Sequence, residues 1–159
     1  MLDLINTGGD AAMIVPLTPE EVAALTPSLS EAKAAKKAAV MAHRDSIFND
    51  GGYAVTTGTM AGQVLQCRTY GEDRTNWLTS QGAYKALIDS GQGTLVGAKF
   101  RTKANINFDL TYDEGYAVIL AMAAWGSLVV ARAWALCDLI DAAEDHAALD
   151  AIDITADWP

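Results

Sequence analysis

Two histidines, two cysteines and an excess of carboxylates are the side chains through which this chain could act on a substrate or hold a metal. A nucleophile needs a base within hydrogen-bond reach, and His43 and His146 each lie among polar neighbours in a segment that reads as helix, which predicts surface imidazoles. Cys67 and Cys137 have no CxxC spacing, so they fit neither a disulfide framework nor a zinc site. Both are expected to be small buried hydrophobes. The sequence has no HExxH, GxGxxG, Walker loop or GxSxG elbow, and Gly91-Gln92-Gly93 is short enough for a turn to explain it. Asp109 with Asp113, or Asp138 with Asp141, could be paired on paper as acid and base. Position gives them plainer roles: Asp113 and Glu114 suit the start of a helix, and Asp138, Asp141, Glu144 and Asp145 form a solvated acidic face. The pattern therefore predicts no catalytic residue, no cofactor and no metal.

Binding chemistry is sparse as well. The chain carries 11 basic against 20 acidic residues, a formal charge of −9 over 159 residues. Affinity for nucleic acid rests largely on neutralising phosphates, so this balance argues against DNA or RNA as a partner. Lys33, Lys36 and Lys37 make the one basic cluster, read as a solvated face or a contact for an acidic partner. Glu72-Asp73-Arg74-Thr75-Asn76-Trp77 is the densest polar stretch. Local ion pairing among Glu72, Asp73, Arg74, Arg68 and Arg101 accounts for it, with a recognition surface built on Trp77 and Arg74 as the alternative.

These groups are positioned by a chain whose hydrophobic share of 51% marks it as folded and large enough for a real core. The stretch from Tyr112 to Leu149 reads as a long helix opened by Thr111 and Glu114 as a capping box. Gly115 to Ala131 carries no charge. Read in sevens, Tyr112, Gly115, Ile119, Met122, Gly126, Val129, Ala133, Leu136, Ile140 and Ala143 form an apolar seam. Leu120, Trp125, Leu128, Trp134 and Leu139 fall off it, and a helix apolar all round needs cover on every side. Small residues at Gly115 and Gly126 would let a neighbouring helix approach, and the expected neighbour is a second subunit. The uncharged run is short for a membrane span, rich in Ala and Gly, and followed at once by Arg132 and Asp138; no membrane span is expected.

Ahead of it, residues 1–29 read as an arm with Met13-Ile14-Val15 as its apolar anchor and a short helix capped by Thr18 and Pro19, ended at Pro27. The residues from 30 to 159 read as one domain. A helix from about Ser30, its candidate cap, to Asn49 stops at Gly51-Gly52. Hairpins are expected at Tyr53–Thr57 with Gln63–Thr69, and at Thr94–Thr102 with Ile106–Leu110, flanking a helix from about Glu72 to Asp89 that sets Trp77, Leu78, Tyr84, Leu87 and Ile88 along one side. The order predicts an α+β fold: a small antiparallel sheet of two hairpins packed with the long C-terminal helix and N-terminal helices. After Ala143 the chain either extends the helix or makes a short one after a break. Trp158 must dock to justify its place near the end.

The order of His43-Arg44-Asp45, Gly-Gly-Tyr, Gln66-Cys67-Arg68, Glu72-Asp73-Arg74, Arg101-Thr102 before Asn105, and the closing run from Ala148 to Trp158-Pro159 resembles an uncharacterised domain of tailed bacteriophages. That domain occurs alone or at the C-terminal end of tail proteins, beside tail-fibre and fibre-assembly genes. The likeness covers roughly Ser30 to Pro159; family members usually close on Gly-Trp, where this chain has Asp157-Trp158. The resemblance implies a structural component of a phage tail, in the fibre or baseplate region, with a contribution to host attachment as a further implication. The alternative is a tail-fibre assembly chaperone absent from the mature virion. Implied with it are other tail proteins as partners, a homo-oligomer, and a place in the virion tail after synthesis in the host cytoplasm. Met13, Ile14, Val15, Gly115, Ile119, Met122, Gly126, Val129 and Trp158 are the expected interface.

Overall fold

The computed structural model describes Thr18, residues 26–68 and residues 73–159. The expected arm, with Met13, Ile14 and Val15 and nearly all of its short helix, lies outside the described residues. Helix α1 spans Leu29–Ser46 and is capped at Ser28, two residues before the expected cap. The Ser28 hydroxyl accepts from the Glu31 N–H at 3.3 Å while the Glu31 carboxylate accepts from the Ser28 N–H at 2.8 Å, a capping box that leaves Ser30 inside the first turn. The helix then widens into a single π turn over Ile47–Gly51 and stops at Gly52, whose φ of +83° only glycine adopts freely. A Cβ there would also run into the Leu65 carbonyl oxygen.

Strand β1 (Tyr53–Ala54) pairs antiparallel with β2 (Val64–Leu65), Tyr53 opposite Leu65. The ladder is shorter than the composition suggests because the connection folds inward: Met60, at its tip, is completely buried. Helix α2 spans Asp73–Asp89 and ends on Gly91, φ +81°, with the Gln92 N–H returning to the Leu87 carbonyl at 2.9 Å. β3 (Val96–Arg101) and β4 (Asn107–Thr111) form the second hairpin, with Phe100 opposite Phe108. Its turn is closed by buried Thr102 and by Asn105 at φ +62°.

The α+β class is as the sequence indicates, but the two hairpins make two separate two-stranded sheets. One backbone bond, from the Lys103 N–H to the Val64 carbonyl at 2.8 Å, ties the second turn to the first hairpin. Helix α3 runs Tyr112–Ala142 from the Thr111–Glu114 capping box. It breaks at Ala143 (ψ 126°), and Asp145 caps a short α4, His146–Asp150.

All seven buried residues of α3 belong to the apolar seam: Gly115, Ile119, Met122, Val129, Ala133, Leu136 and Ile140. The seam is filled from within the chain, by two cores end to end. In the first, Ile119 and Met122 join Tyr53, Met60, Leu65, Phe100 and Leu110 of the hairpins. In the second, Ala133, Leu136 and Ile140 join Val40 of α1 and Leu149 of α4, with Trp158 packed against them. What Gly115 admits is strand β3 of the same chain, since a Cβ on it would stand 2.6 Å from the Ala98 Cβ, with the Tyr84 ring of α2 at 3.2 Å. Around Gly126 nothing is tight: a Cβ there would meet only Phe48, at 3.6 Å. The seam therefore gives no ground for a contact between subunits at Gly115, Ile119, Met122 or Val129.

Candidate functional site

The groups considered for catalysis do not assemble. Asp109 pairs with Lys99 at 2.7 Å on the open face of the second hairpin, Asp141 pairs with Lys37, and Asp113 and Asp138 are exposed. Burial pushes the Cys67 thiol up to about 11, which keeps it protonated and a poor nucleophile; Cys137 is half-buried. His146 is exposed, but His43 is half-buried with its ring edge-on to Trp158 at 5.2 Å, a packing role the polar neighbours concealed. Among the described residues no three His, Cys, Asp or Glu side chains gather where they could hold a metal ion.

The lysine cluster also departs from both of its readings. Lys33 donates to the Asp141 carbonyl at 2.9 Å, Lys36 to the Leu149 carbonyl, and Lys37 pairs with the Asp141 carboxylate. Two of the ammonium groups are thus placed on carbonyls at the C-terminal ends of α3 and α4, where the helix dipole favours positive charge. The cluster is an internal clamp. A Lys-x-x-Lys-Lys run lying against an Ala-rich helix that lacks a basic last turn is the signal that could have found it.

Two surfaces remain. One is a groove of about 720 Å³ between the end of α1, α2 and the middle of α3. Phe48, set by the π turn, meets Trp125 edge-on at 5.5 Å, while Trp77 stacks on Phe100 at 5.3 Å and donates its indole N–H to the Gln66 carbonyl. Trp134 stands at the groove's outer side, and its polar wall is the half-buried Arg44–Asp45 pair, 2.6 Å apart. The volume is in the range of small-ligand and side-chain-accepting pockets. The expected ion pair at the start of α2 lies beside it as Arg68–Asp73 at 2.8 Å, and the hydrogen bond from Arg68 holds the Asp73 carboxyl below the usual carboxylate range.

The other surface is the outer side of α3. Leu120 (43 % exposed), Leu128 (60 %), Trp134 (62 %) and Leu139 (53 %) stand on it, and Ala117, Ala121, Ala124, Ala131 and Ala135 between them are also exposed. The cover that an all-round apolar helix requires is supplied on one side only. α3 has the length and hydropathy, 1.7 over its most apolar window, that would cross a membrane, yet its inner stripe is committed to strands and helices of the same chain.

A family profile described as a domain of unknown function, DUF4376, matches residues 31–156. The chain belongs to this family. No curated protein and no solved structure matches it. Within the DUF4376 domain two of the motifs singled out in the sequence reach the groove, with Arg44 and Asp45 at its wall and Cys67 in its lining, and Arg68 continues from Cys67 into its pair with Asp73. The closing motif folds back on the helices. The Trp158 indole N–H donates to the Ile154 carbonyl at 2.9 Å, Arg132 donates to the Ala156 carbonyl at 3.1 Å, and the Trp125 indole N–H donates to the Pro159 carbonyl at 3.2 Å. Trp158, expected at an interface, docks within its own chain. Asp157 takes φ +58°, so the turn that glycine makes easily is made here by an aspartate. The sequence marks Trp125 only as lying off the seam of the long helix; that it would meet Phe48 depends on the π turn, which no local signal in the sequence announces.

Proposed function

We propose that the chain is a structural protein of a bacteriophage tail, in the fibre or baseplate region, whose work is to bind other tail proteins. The observation that carries this reading is the outer side of α3: four large apolar residues stand exposed on a helix without charge from Gly115 to Ala131. Contiguous apolar surface of this kind on a folded chain marks an interaction site. The motif order shared with the phage tail-associated domain supplies the setting, and the spent carboxylates, the inert Cys67 and the inward-turned His43 favour binding over chemistry. The net charge of −9 favours protein over nucleic acid. A second reading, the fibre-assembly chaperone, draws on the aromatic groove, which offers a place for a client's apolar segment. Mass spectrometry of purified particles tests the proposal: peptides of the chain at stoichiometric level are expected. Their absence, with the chain recovered on fibre subunits before assembly, would transfer the function to the chaperone.

A further inference from the structure

The closing segment, residues 151–159, is fastened to the helices at three points, and two of them bear on the aromatic groove. Trp158 packs on the second core and meets His43 of α1 edge-on at 5.2 Å; the next two residues of α1, Arg44 and Asp45, are the groove's polar wall. The Pro159 carbonyl accepts from the indole of Trp125, which lines the groove and packs against Phe48. Between these points the Ala156 carbonyl accepts from Arg132 of α3. The segment therefore ties the end of α1 to the middle of α3, the two helices that form the groove with α2. Strain gathers at the same place. Asp157 holds φ +58° without being a glycine, and among the described residues Arg132 Nε is the one buried side-chain nitrogen or oxygen with no hydrogen-bond partner. The two are neighbours: the Asp157 carboxylate stands 3.7 Å from an Arg132 Nη, exposed and too far to bond. Both penalties belong to the docked state and disappear on release, when Asp157 relaxes and water reaches Nε. Burial of the Trp158 ring, with Ile152 and Ile154 beside it on the second core, opposes them.

We infer that residues 151–159 are a strap that controls the groove: docked, they hold the end of α1 against α3 and keep Cys67 covered; released, they let that end move and open the lining. The two states differ in contacts that are all on one segment, so whatever shifts the segment shifts the groove. A partner that draws Trp158 from its seat would open the groove without touching its lining, and an occupant that spreads Phe48 from Trp125 would loosen the hold on Pro159. The coupling does not depend on whether the chain belongs to a phage tail. Cys67 reports on it. The thiol lies in the groove lining, is 7 % exposed, and is raised by burial to about 11, so in the docked chain it is both covered and protonated. Cys137, half-buried against the second core, serves as the internal comparison.

Labelling of the full chain with N-ethylmaleimide, with the two cysteines distinguished by peptide mass spectrometry, tests the strap. In the parent, Cys67 should label through an opening of lower free energy than the one that exchanges the amides of β3 and β4. Trp158→Ala should speed Cys67 roughly tenfold or more, since an aromatic anchor is lost from the docked state alone. Asp157→Gly relieves the left-handed aspartate and should slow Cys67 by about two- to fivefold. Opposite signs from two substitutions in one segment, neither of them in the groove, are the signature of the coupling. Cys67 that labels only in step with the exchange of β3 and β4 would overturn it, as would a Trp158→Ala chain in which Cys137 speeds up and Cys67 keeps the parent's rate. Should Trp158→Ala fail to fold, Asp157→Gly decides: slower labelling of Cys67 upholds the strap, and an unchanged rate overturns it.

Discussion

Two backbone positions with positive φ make opposite demands on their side chains. Gly52 is where the π turn meets β1; at φ +83°, with the Leu65 carbonyl where a Cβ would go, it has no room for substitution. Gly52→Ala should cost about 2 kcal/mol or more, as strain at a left-handed position combined with displacement of the β1–β2 pair. At Asp157, φ +58°, the strain is already present, and the aspartate's link to Arg132 is long, at 3.7 Å, and largely exposed. Asp157→Gly should therefore stabilise by about 0.5–1 kcal/mol. Urea unfolding of the two variants beside the parent checks both signs. The first glycine was legible as a stop signal, but its particular need was not, because nothing in a sequence tells which carbonyl will crowd a turn. The second was legible in part: an aspartate where the resembled domain closes on glycine marks the place where φ must be positive.

Among the elements, those with strong local signals were read correctly. The Thr111–Glu114 box, the stops at Gly91 and Gly52, and the seam of α3 all depend on residues within a turn of one another. The start of α1 shows how such a signal can mislead. Ser28 and Ser30 are both eligible caps, and Glu31 decides for Ser28 because it stands three residues on. Ser28→Ala should lower stability by about 1 kcal/mol, while Ser30→Ala should leave it within a few tenths; thermal unfolding of the pair distinguishes the two. Contacts distant in sequence were not legible. That α3 would receive β3 at Gly115, that Lys33, Lys36 and Lys37 would close the ends of α3 and α4, and that Met60 would turn inward are consequences of topology. The seam's rhythm identified a side to be buried; it could not say whether strand, helix or second subunit would bury it.

At the scale of the whole molecule the acidic balance sets the response to pH. Glu31, Asp73, Glu114 and Asp153 all have carboxyls held below the ordinary range, chiefly by hydrogen bonds from Ser28, Arg68, the Thr111 backbone and the Thr155 backbone. A lowered native value means that the unfolded chain takes up protons first as pH falls. The stability these groups supply is complete above the unfolded carboxylate values of about 4 and is lost as pH drops through the native ones. Chemical denaturation at intervals between neutral pH and pH 3 should show a decline concentrated below pH 5. Substituting Asp73 by Asn should flatten it in part. Relief of self-repulsion as the net charge of −9 is neutralised works against the decline, so added salt at neutral pH should raise stability.

Helix α3 is shared by two cores that otherwise have different parents: both hairpins at one end, and α1 with α4 and the closing tail at the other. Such a molecule can open by halves. Release of α1 would strip Val40 from Leu136 and Ile140 and take the lysine clamp with it, freeing α4 and the tail in the same event while the hairpins stay on the first half of α3. Native-state hydrogen exchange should accordingly group the amides of α1, α4 and the second half of α3 into one cooperative unit, opening at lower free energy than the amides of β3 and β4. The end that opens first carries Trp134 and Leu139, and with them half of the large exposed residues proposed to meet other tail proteins. A partner seated there would raise the protection of that half alone, so slowed exchange across the second core becomes a solution signature of assembly that needs no particle.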